Sequence, residues 1–319
     1  MSLLDRISKK AQTQANTGFG TSPGNYGGRF VNKDGSANIH KRGIPFLERI
    51  SWYHTMLRMP SWKFLGVLMT FYAAINFLFA SIYYLIGVEY LSGIDPNGSE
   101  WVKFGKAYFF SAQTFTTVGY GHISPNGVLA SAVAATEALV GLLSFAIATG
   151  LFFGRFSKPT AFLRFSHNAL IAPYRGGTAL MLRMTPHKNT NLTDAEVKVT
   201  LGMTVEENGV PMNRFYALPL EFERINSLAL SWTLVHPITE DSPLYGFVAS
   251  DYDSIEGELI VYVKAFDDMF SAVVAAQTSY TFQEIVYGAK FQIMYTESDD
   301  NMTTILHLDR LDQFSQVEL

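Results

Sequence analysis

Two long apolar runs separated by a short glycine-punctuated turn place the strongest constraint on this chain. Residues 64–88 contain no Asp, Glu, Lys or Arg, and residues 128–153 contain only Glu137. At about 1.5 Å per helical residue, either run is long enough to cross a hydrocarbon layer of about 30 Å. Such a layer offers the backbone no water to bond, so both runs are expected as membrane-spanning helices. Trp62 at one end of the first, with Tyr83, Tyr84 and Tyr90 toward the other, suits the two interfaces. Between the runs, Trp101 to Phe115 is too short to span. Phe104, Tyr108, Phe109 and Ala112 share one helical face there, and a half-length helix is tolerated at membrane depth only inside protein. Its negative C-terminal end would point toward the middle of the membrane and stabilise a cation. The chain then returns outward and turns at Pro125-Asn126-Gly127.

The turn itself reads Thr116-Thr117-Val118-Gly119-Tyr120-Gly121. A cation leaving water needs its hydration oxygens replaced, and the carbonyls of Thr117, Val118, Gly119 and Tyr120, with the Thr117 hydroxyl, offer such a ladder. Carbonyls that all face one way require backbone angles that a β-carbon resists, and Gly119 and Gly121 stand where that freedom is wanted. Thr116 and Gln113 lie beside the ladder as candidate supports. Glu137, ionisable within a span, is either a functional group or a brace bonded to the filter backbone. Gly141 and Gly150 on the same run permit either close packing or a bend.

The whole sequence has 319 residues, which leaves room beyond these runs for one sizeable further domain. A net charge of −4 without a basic run argues against a nucleic-acid partner. With no cysteine, neither disulfides nor thiolate metal sites are expected, and the seven histidines show no ligand spacing. Residues 1–28 are polar and glycine-rich, read as a loose arm without a signal peptide. Phe46, Ile50, Tyr53 and Leu57 recur at helical spacing, the mark of a short amphipathic helix in the headgroup layer. Lys and Arg crowd the outer ends of the helix pair, so both termini are expected to be cytoplasmic. From residue 161 onward the period becomes two: Leu180, Leu182 and Met184; Val197, Val199 and Leu201; Leu228, Leu230, Trp232 and Leu234; then strands at 259–263 and 291–295. Turn residues separate these runs, so a mostly antiparallel β-sandwich is expected.

Several ordered motifs make the likeness to a known family specific. They are Asn32-Lys33-Asp34-Gly35, the Thr-Val-Gly-Tyr-Gly filter, Thr149-Gly150-Leu151-Phe152-Phe153-Gly154-Arg155-Phe156-Ser157-Lys158-Pro159, Phe165-Ser166-His167-Asn168-Ala169, His236-Pro237-Ile238, Asp241 to Gly246, and Ser279-Tyr280 with Glu284-Ile285. After residue 30 the chain resembles the inward-rectifier potassium channels, most closely their prokaryotic branch. The resemblance implies a homotetramer around one pore, permeant potassium ions, an interfacial slide helix and an immunoglobulin-like cytoplasmic domain that extends the ion path. It places a dewetting gate at Phe153, with Phe145 two turns above. The strong rectifiers' acidic residue is replaced by Phe145, which implies weak rectification unless vestibule acids such as Asp268 suffice. Magnesium, polyamine and barium are the candidate blockers. Arg155 and Lys158, with Arg49, Arg58 and Lys63, are candidates for anionic-lipid contact. Gln113 and Ile123 stand where relatives brace the filter with a Glu–Arg pair, so any brace here must differ.

The expected architecture is thus a membrane α unit, with two transmembrane helices plus pore helix and filter, joined to an all-β immunoglobulin-like cytoplasmic sandwich. Its segments are an N-terminal arm (1–44), a slide helix (45–60), a pore domain (61–158, with helices at 63–90, 101–121 including the filter, and 127–156) and a sandwich (159–319). The rival readings are a poorly selective cation channel and a non-conducting receptor or scaffold. His122 and His54 are read as either pH sensors or plain structural residues.

Overall fold

The computed structural model describes residues 29–43, 45, 51–207 and 210–319. The loose arm expected at 1–28, along with Phe46, Arg49 and Ile50 of the slide helix, lies outside the described residues. The chain divides into two compact units, one comprising residues 42–158 and the other residues 159–319 with the segment before 42.

The first unit is helical. Helix α1 (Trp52–Arg58) carries exposed Trp52 and Tyr53, and α2 (Ser61–Ile86) follows after Pro60, whose fixed φ suits a helix entrance. With 26 residues, α2 is about 39 Å long; it ends at Gly87, whose φ of 119° a side chain would resist. Helix α3 (Glu100–Phe115) has 16 residues, about 24 Å, and so cannot span. Helix α4 (Val128–Phe156) has 29 residues, about 44 Å. Both α2 and α4 are long and apolar enough to cross a membrane. A two-residue ladder of β1 (Leu91–Ser92) and β2 (Ser124–Pro125) ties the connection after α2 to the one before α4.

Within this unit the face that α3 packs only partly matches the expected one, since Phe104 and Tyr108 do pack against the apolar cluster. Ala107, Phe110, Ser111 and Phe115 are buried, whereas Phe109 points outward. Tyr83, expected at an interface, is fully buried, with its ring edge-on to Phe110 at 5.1 Å between centroids. The tyrosine looked interfacial because its position near the helix end was legible, while its partner on α3 was not.

The second unit is a sandwich of two five-stranded sheets. One sheet has the order β11 (Ala272–Thr281), β10 (Gly257–Asp267), β6 (Leu192–Glu207), β7 (Val210–Leu218), with β8 (Arg224–Leu228) also on β6. The other runs β12 (Ile285–Tyr287), β4 (Ala169–Tyr174), β5 (Gly177–Pro186), β3 (Leu163–Phe165), with β9 (Trp232–Ile238) also on β5. Every pair is antiparallel except β12 with β4. The expected alternation sets the core: Leu180, Leu182 and Met184 from one sheet meet Val197, Val199, Leu201, Leu259 and Val261 from the other.

Two expected strands are each broken. The run Leu228 to Leu234 is not one strand, because the chain leaves one sheet at β8 and joins the other at β9, and Leu230 in the crossing is exposed. Period-two spacing survives a bend, so the alternation concealed the change of sheet. The run 291–295 is divided between β13 (Ala289–Phe291) and β14 (Tyr295–Glu297), which pair with different partners, β16 (Phe314–Gln316) and β15 (Thr304–Leu306). The tail also covers the outer side of β5, where Arg183 donates to the Gln292 carbonyl at 2.8 Å and stacks over Phe291. Burial there pulls the guanidinium down to about 10.

Residues 29–38 are held to the sandwich by Glu258, which the sequence did not single out, and by Glu284, which belongs to one of the quoted motifs. Buried Glu258 accepts the backbone amides of Phe30 and Val31 at 2.5 and 3.1 Å. Arg29 and Lys33 both reach Glu284, at 2.7 and 3.4 Å. Burial lowers the Lys33 amine below its ordinary value, opposed by the Glu284 carboxylate.

Candidate functional site

The turn after α3 has the backbone that its glycines promised. Thr117, Gly119 and Gly121 take positive φ values of 60°, 52° and 78°, so every second residue is left-handed. Thr117 holds this conformation without being a glycine, a sparsely populated state that surrounding structure must enforce. The enforcement comes from α3: the amides of Val118 and Gly119 both donate to the carbonyl of Gln113, at 2.9 and 3.3 Å, and that of Thr117 donates to Thr114 at 3.0 Å. The Thr116 hydroxyl donates to Ala112 O at 2.7 Å. Amides are therefore spent backward on the helix. Among the described residues no donor reaches the carbonyls of Thr117, Val118, Gly119 or Tyr120. Gln113 supports the turn through its main chain.

Behind the turn sits a closed polar network. Glu137 on α4 accepts from Tyr83 on α2 at 2.6 Å and is bonded to Ser111 on α3; Ser111 in turn contacts Asn76 on α2 at 3.0 Å. All four residues are completely buried. Glu137 therefore does not bond the filter backbone, one of the two roles read for it, but joins three helices. Its two carboxyl oxygens are taken up by the side chains of Tyr83 and Ser111. Asn76 and Ser111 went unnoticed in the sequence and Tyr83 was read only as interfacial, although the seven-residue spacing of Asn76 and Tyr83 places both on one face of α2. Ile123 stands apart from this network and packs with apolar neighbours.

Gly141 resolves to close packing. A β-carbon there would overlap the carbonyl oxygen of Phe115, the last residue of α3, whereas one at Gly150 would meet nothing within 4 Å. Phe145 and Phe153 are 73% and 72% exposed in a single copy. Phe145 lines an apolar cavity of about 700 Å³ that also reaches Phe115, Thr117, Tyr72 and Leu142, so it and the turn look onto one space.

The basic candidates divide. Arg155 is engaged: it donates to Met56 O at 2.7 Å and Ser61 Oγ at 3.2 Å, and lies over the Phe64 ring at 4.6 Å. Arg58 ends α1, Lys63 lies over Trp62 at 5.3 Å, Lys158 is exposed, and Arg49 is outside the described residues. In the second unit Asp268 is exposed beside the β10–β11 hairpin and accepts from Asn191 at 2.9 Å. His122 is exposed, and His54 Nδ1 lies 2.8 Å from Ser51 Oγ.

Residues 62–158 match the model of the ion channel family, and residues 163–319 match that of the inward rectifier potassium channel C-terminal domain. Over 277 residues the chain is 32% identical to the inward rectifier potassium channel Kirbac3.1 of Paramagnetospirillum magnetotacticum, covering 85% of this chain and 91% of that protein. The chain belongs to the inward-rectifier potassium-channel family. As a member it is a transmembrane ion-transport protein and not an enzyme. Family members from animals are more distant. The ATP-sensitive inward rectifier potassium channel 12 of Gallus gallus is 25% identical over 305 residues, covering 88% of this chain and 71% of that one. The inward rectifier potassium channel irk-1 of Caenorhabditis elegans is 27% identical over 294 residues, covering 86% of this chain and 54% of its own longer length.

Proposed function

We propose that four copies of this chain surround one pore and conduct potassium selectively through the carbonyls of Thr117, Val118, Gly119 and Tyr120, with the Thr117 hydroxyl. The observation that carries this reading is the alternation of left-handed residues, with the Val118 and Gly119 amides turned back onto Gln113 and that of Thr117 onto Thr114, while among the described residues no donor reaches the four successive carbonyls. One strand offers a quarter of a cage, and a fourfold assembly completes it. Thr116, Gly121, Gln113 and Glu137 support the filter, the first three locally and Glu137 through the helices.

The gate in this reading is the ring of Phe153 side chains, with Phe145 above, closing the path by dewetting and coupled to the sandwich and the slide helix. The absence of an acid at position 145 makes rectification weak, with Asp268 as the vestibule acid and magnesium or polyamine as blockers from the inside. Arg58, Lys63, Lys158 and Arg49 contact anionic lipid, while Arg155 ties α4 to α1 and α2. Both termini are cytoplasmic in a cell membrane, and the segments run as arm to 44, slide helix to 60, pore domain to 158 and sandwich thereafter.

The test is flux from vesicles holding the purified full chain. Rubidium is expected to pass, barium to block and sodium to compete poorly, with the protein migrating as a tetramer. Equal sodium and potassium flux overturns the selectivity, and a monomer or dimer overturns the pore.

A further inference from the structure

The buried network behind the turn needs one hydrogen more than an ionised glutamate would leave it. Its oxygens make three contacts in series: Tyr83 Oη to Glu137 Oε2 at 2.6 Å, Glu137 Oε1 to Ser111 Oγ, and Ser111 Oγ to Asn76 Oδ1 at 3.0 Å. The Asn76 amide cannot be turned over, because Nδ2 donates to the Tyr72 carbonyl at 2.7 Å. Its oxygen therefore faces Ser111, and an amide oxygen only accepts. Each oxygen–oxygen contact needs one hydrogen, and the hydroxyls of Tyr83 and Ser111 supply one apiece. Two hydrogens cannot fill three contacts. The remaining group able to carry one is the carboxyl of Glu137.

From this count we infer that Glu137 carries a proton and acts as a hydrogen-bond donor that positions the pore helix. Glu137 Oε1–H donates to Ser111 Oγ, Ser111 donates to Asn76 Oδ1, and Tyr83 donates to Glu137 Oε2. Were Glu137 ionised, the single Ser111 hydrogen would lie between two acceptors, and one buried oxygen pair would face each other with nothing between them. None of the ion pairs among the described residues involves Glu137, so no cation is present to offset a buried charge.

The consequence for conduction rests on reading α3 as the pore helix. Ser111 is two residues before Gln113, whose carbonyl receives the filter amides, and four before Phe115, whose carbonyl meets Gly141. A chain of donors running one way from Tyr83 through Glu137 and Ser111 to Asn76 fixes the rotation of α3 against both spanning helices. Glu137 thus works by shape and by one donated hydrogen, and four copies add no negative charge behind the filter.

The experiment compares the full-length protein with Glu137→Gln and Glu137→Leu in lipid vesicles. The glutamine amide can donate to Ser111 while its oxygen accepts from Tyr83, so Glu137→Gln is expected to keep rubidium flux and the rubidium-to-sodium ratio. Glu137→Leu breaks two contacts and is expected to lower flux about tenfold or more. At neutral pH, the infrared spectrum of the unmodified protein minus that of Glu137→Gln should show the carbonyl band of a protonated carboxyl. Absence of that band overturns the inference, as does a glutamine variant that assembles yet loses as much flux as leucine. Should the leucine variant fail to assemble, the glutamine flux and the infrared band still decide. Failure of the channel reading looks different: the unmodified protein would pass no selective flux, while the infrared band would be unaffected.

Discussion

The two units differ most in what they leave outside. In the sandwich the inward positions are Leu, Val, Ile and Met, and the alternating outward residues of β6 and β10 include Glu196, Lys198 and Lys264. In the helical unit Asn76, Ser111 and Glu137 are fully buried, while Phe71, Leu78, Leu142 and Ile147 lie on the outside. The difference teaches which solvent each unit is built for. Water rewards apolar burial, so the sandwich collects its aliphatic side chains inside. A hydrocarbon layer gives no such reward but penalises every unpaired polar group, so the helices draw their polar atoms together and leave the apolar ones out.

The largest test of this contrast lies at the filter. Gly119→Ala puts a β-carbon on a left-handed residue with φ of 52°, and ion flux is expected to vanish from a tetramer that still assembles. Flux assays paired with size-exclusion chromatography would read it, and persistent selective flux would count against the carbonyl ladder. Next comes the same substitution made in the two environments. Leu78→Lys on α2 should cost about 2.5–3.5 kcal/mol of membrane insertion. Phe222→Lys, at a position also exposed on the sandwich, should change stability by about 0.5 kcal/mol or less. Equal effects, measured by insertion yield and denaturant unfolding, would erase the distinction between the units.

A smaller effect is expected from Phe153→Ala. Removing the exposed ring should raise resting flux severalfold if dewetting closes the path. Unchanged flux would place the constriction elsewhere on α4. The smallest concerns His236 in the sandwich, which donates from Nδ1 to Pro219 O at 2.7 Å and accepts from Ser242 at Nε2 at 2.8 Å. Burial lowers its proton affinity below the ordinary value of 6.5, with the Pro219 carbonyl opposing. The unfolded chain therefore binds a proton more readily than the folded one. The stability that the neutral ring contributes is complete above about 6.5 and declines as pH falls below that, toward the lower folded value. Thermal unfolding across that range should show the slope, and His236→Gln should flatten it.

Much of both units was legible in advance because their patterns are local. An uncharged run states its own length, which is why α2 and α4 appeared close to their observed bounds. Alternation states which side of a strand is buried, so Leu182, Leu201 and Leu259 were correctly placed inside. The left-handed turn was readable from Gly119 and Gly121. The rest depended on neighbours far along the chain. Tyr83 and Glu137 are separated by 54 residues and Ser111 and Glu137 by 26, so no window of sequence announces their meeting. Leu228 and Trp232 keep perfect alternation across a change of sheet, which only the pairing partners reveal.

The sequence by itself determined that two helices would be long and apolar enough to cross a membrane, that a glycine-spaced turn would lie between them, and that an alternating β unit would follow. Those outcomes depend on the length and period of hydrophobic runs, which each segment carries within itself. Only the tertiary structure decided that Gly141 is a contact with Phe115 and not a bend, that Tyr83 faces inward, and that Glu137 braces helices and not the filter's own backbone. Each of these depends on a hydrogen bond or a van der Waals contact between atoms brought together by folding, and such contacts leave no period in the chain.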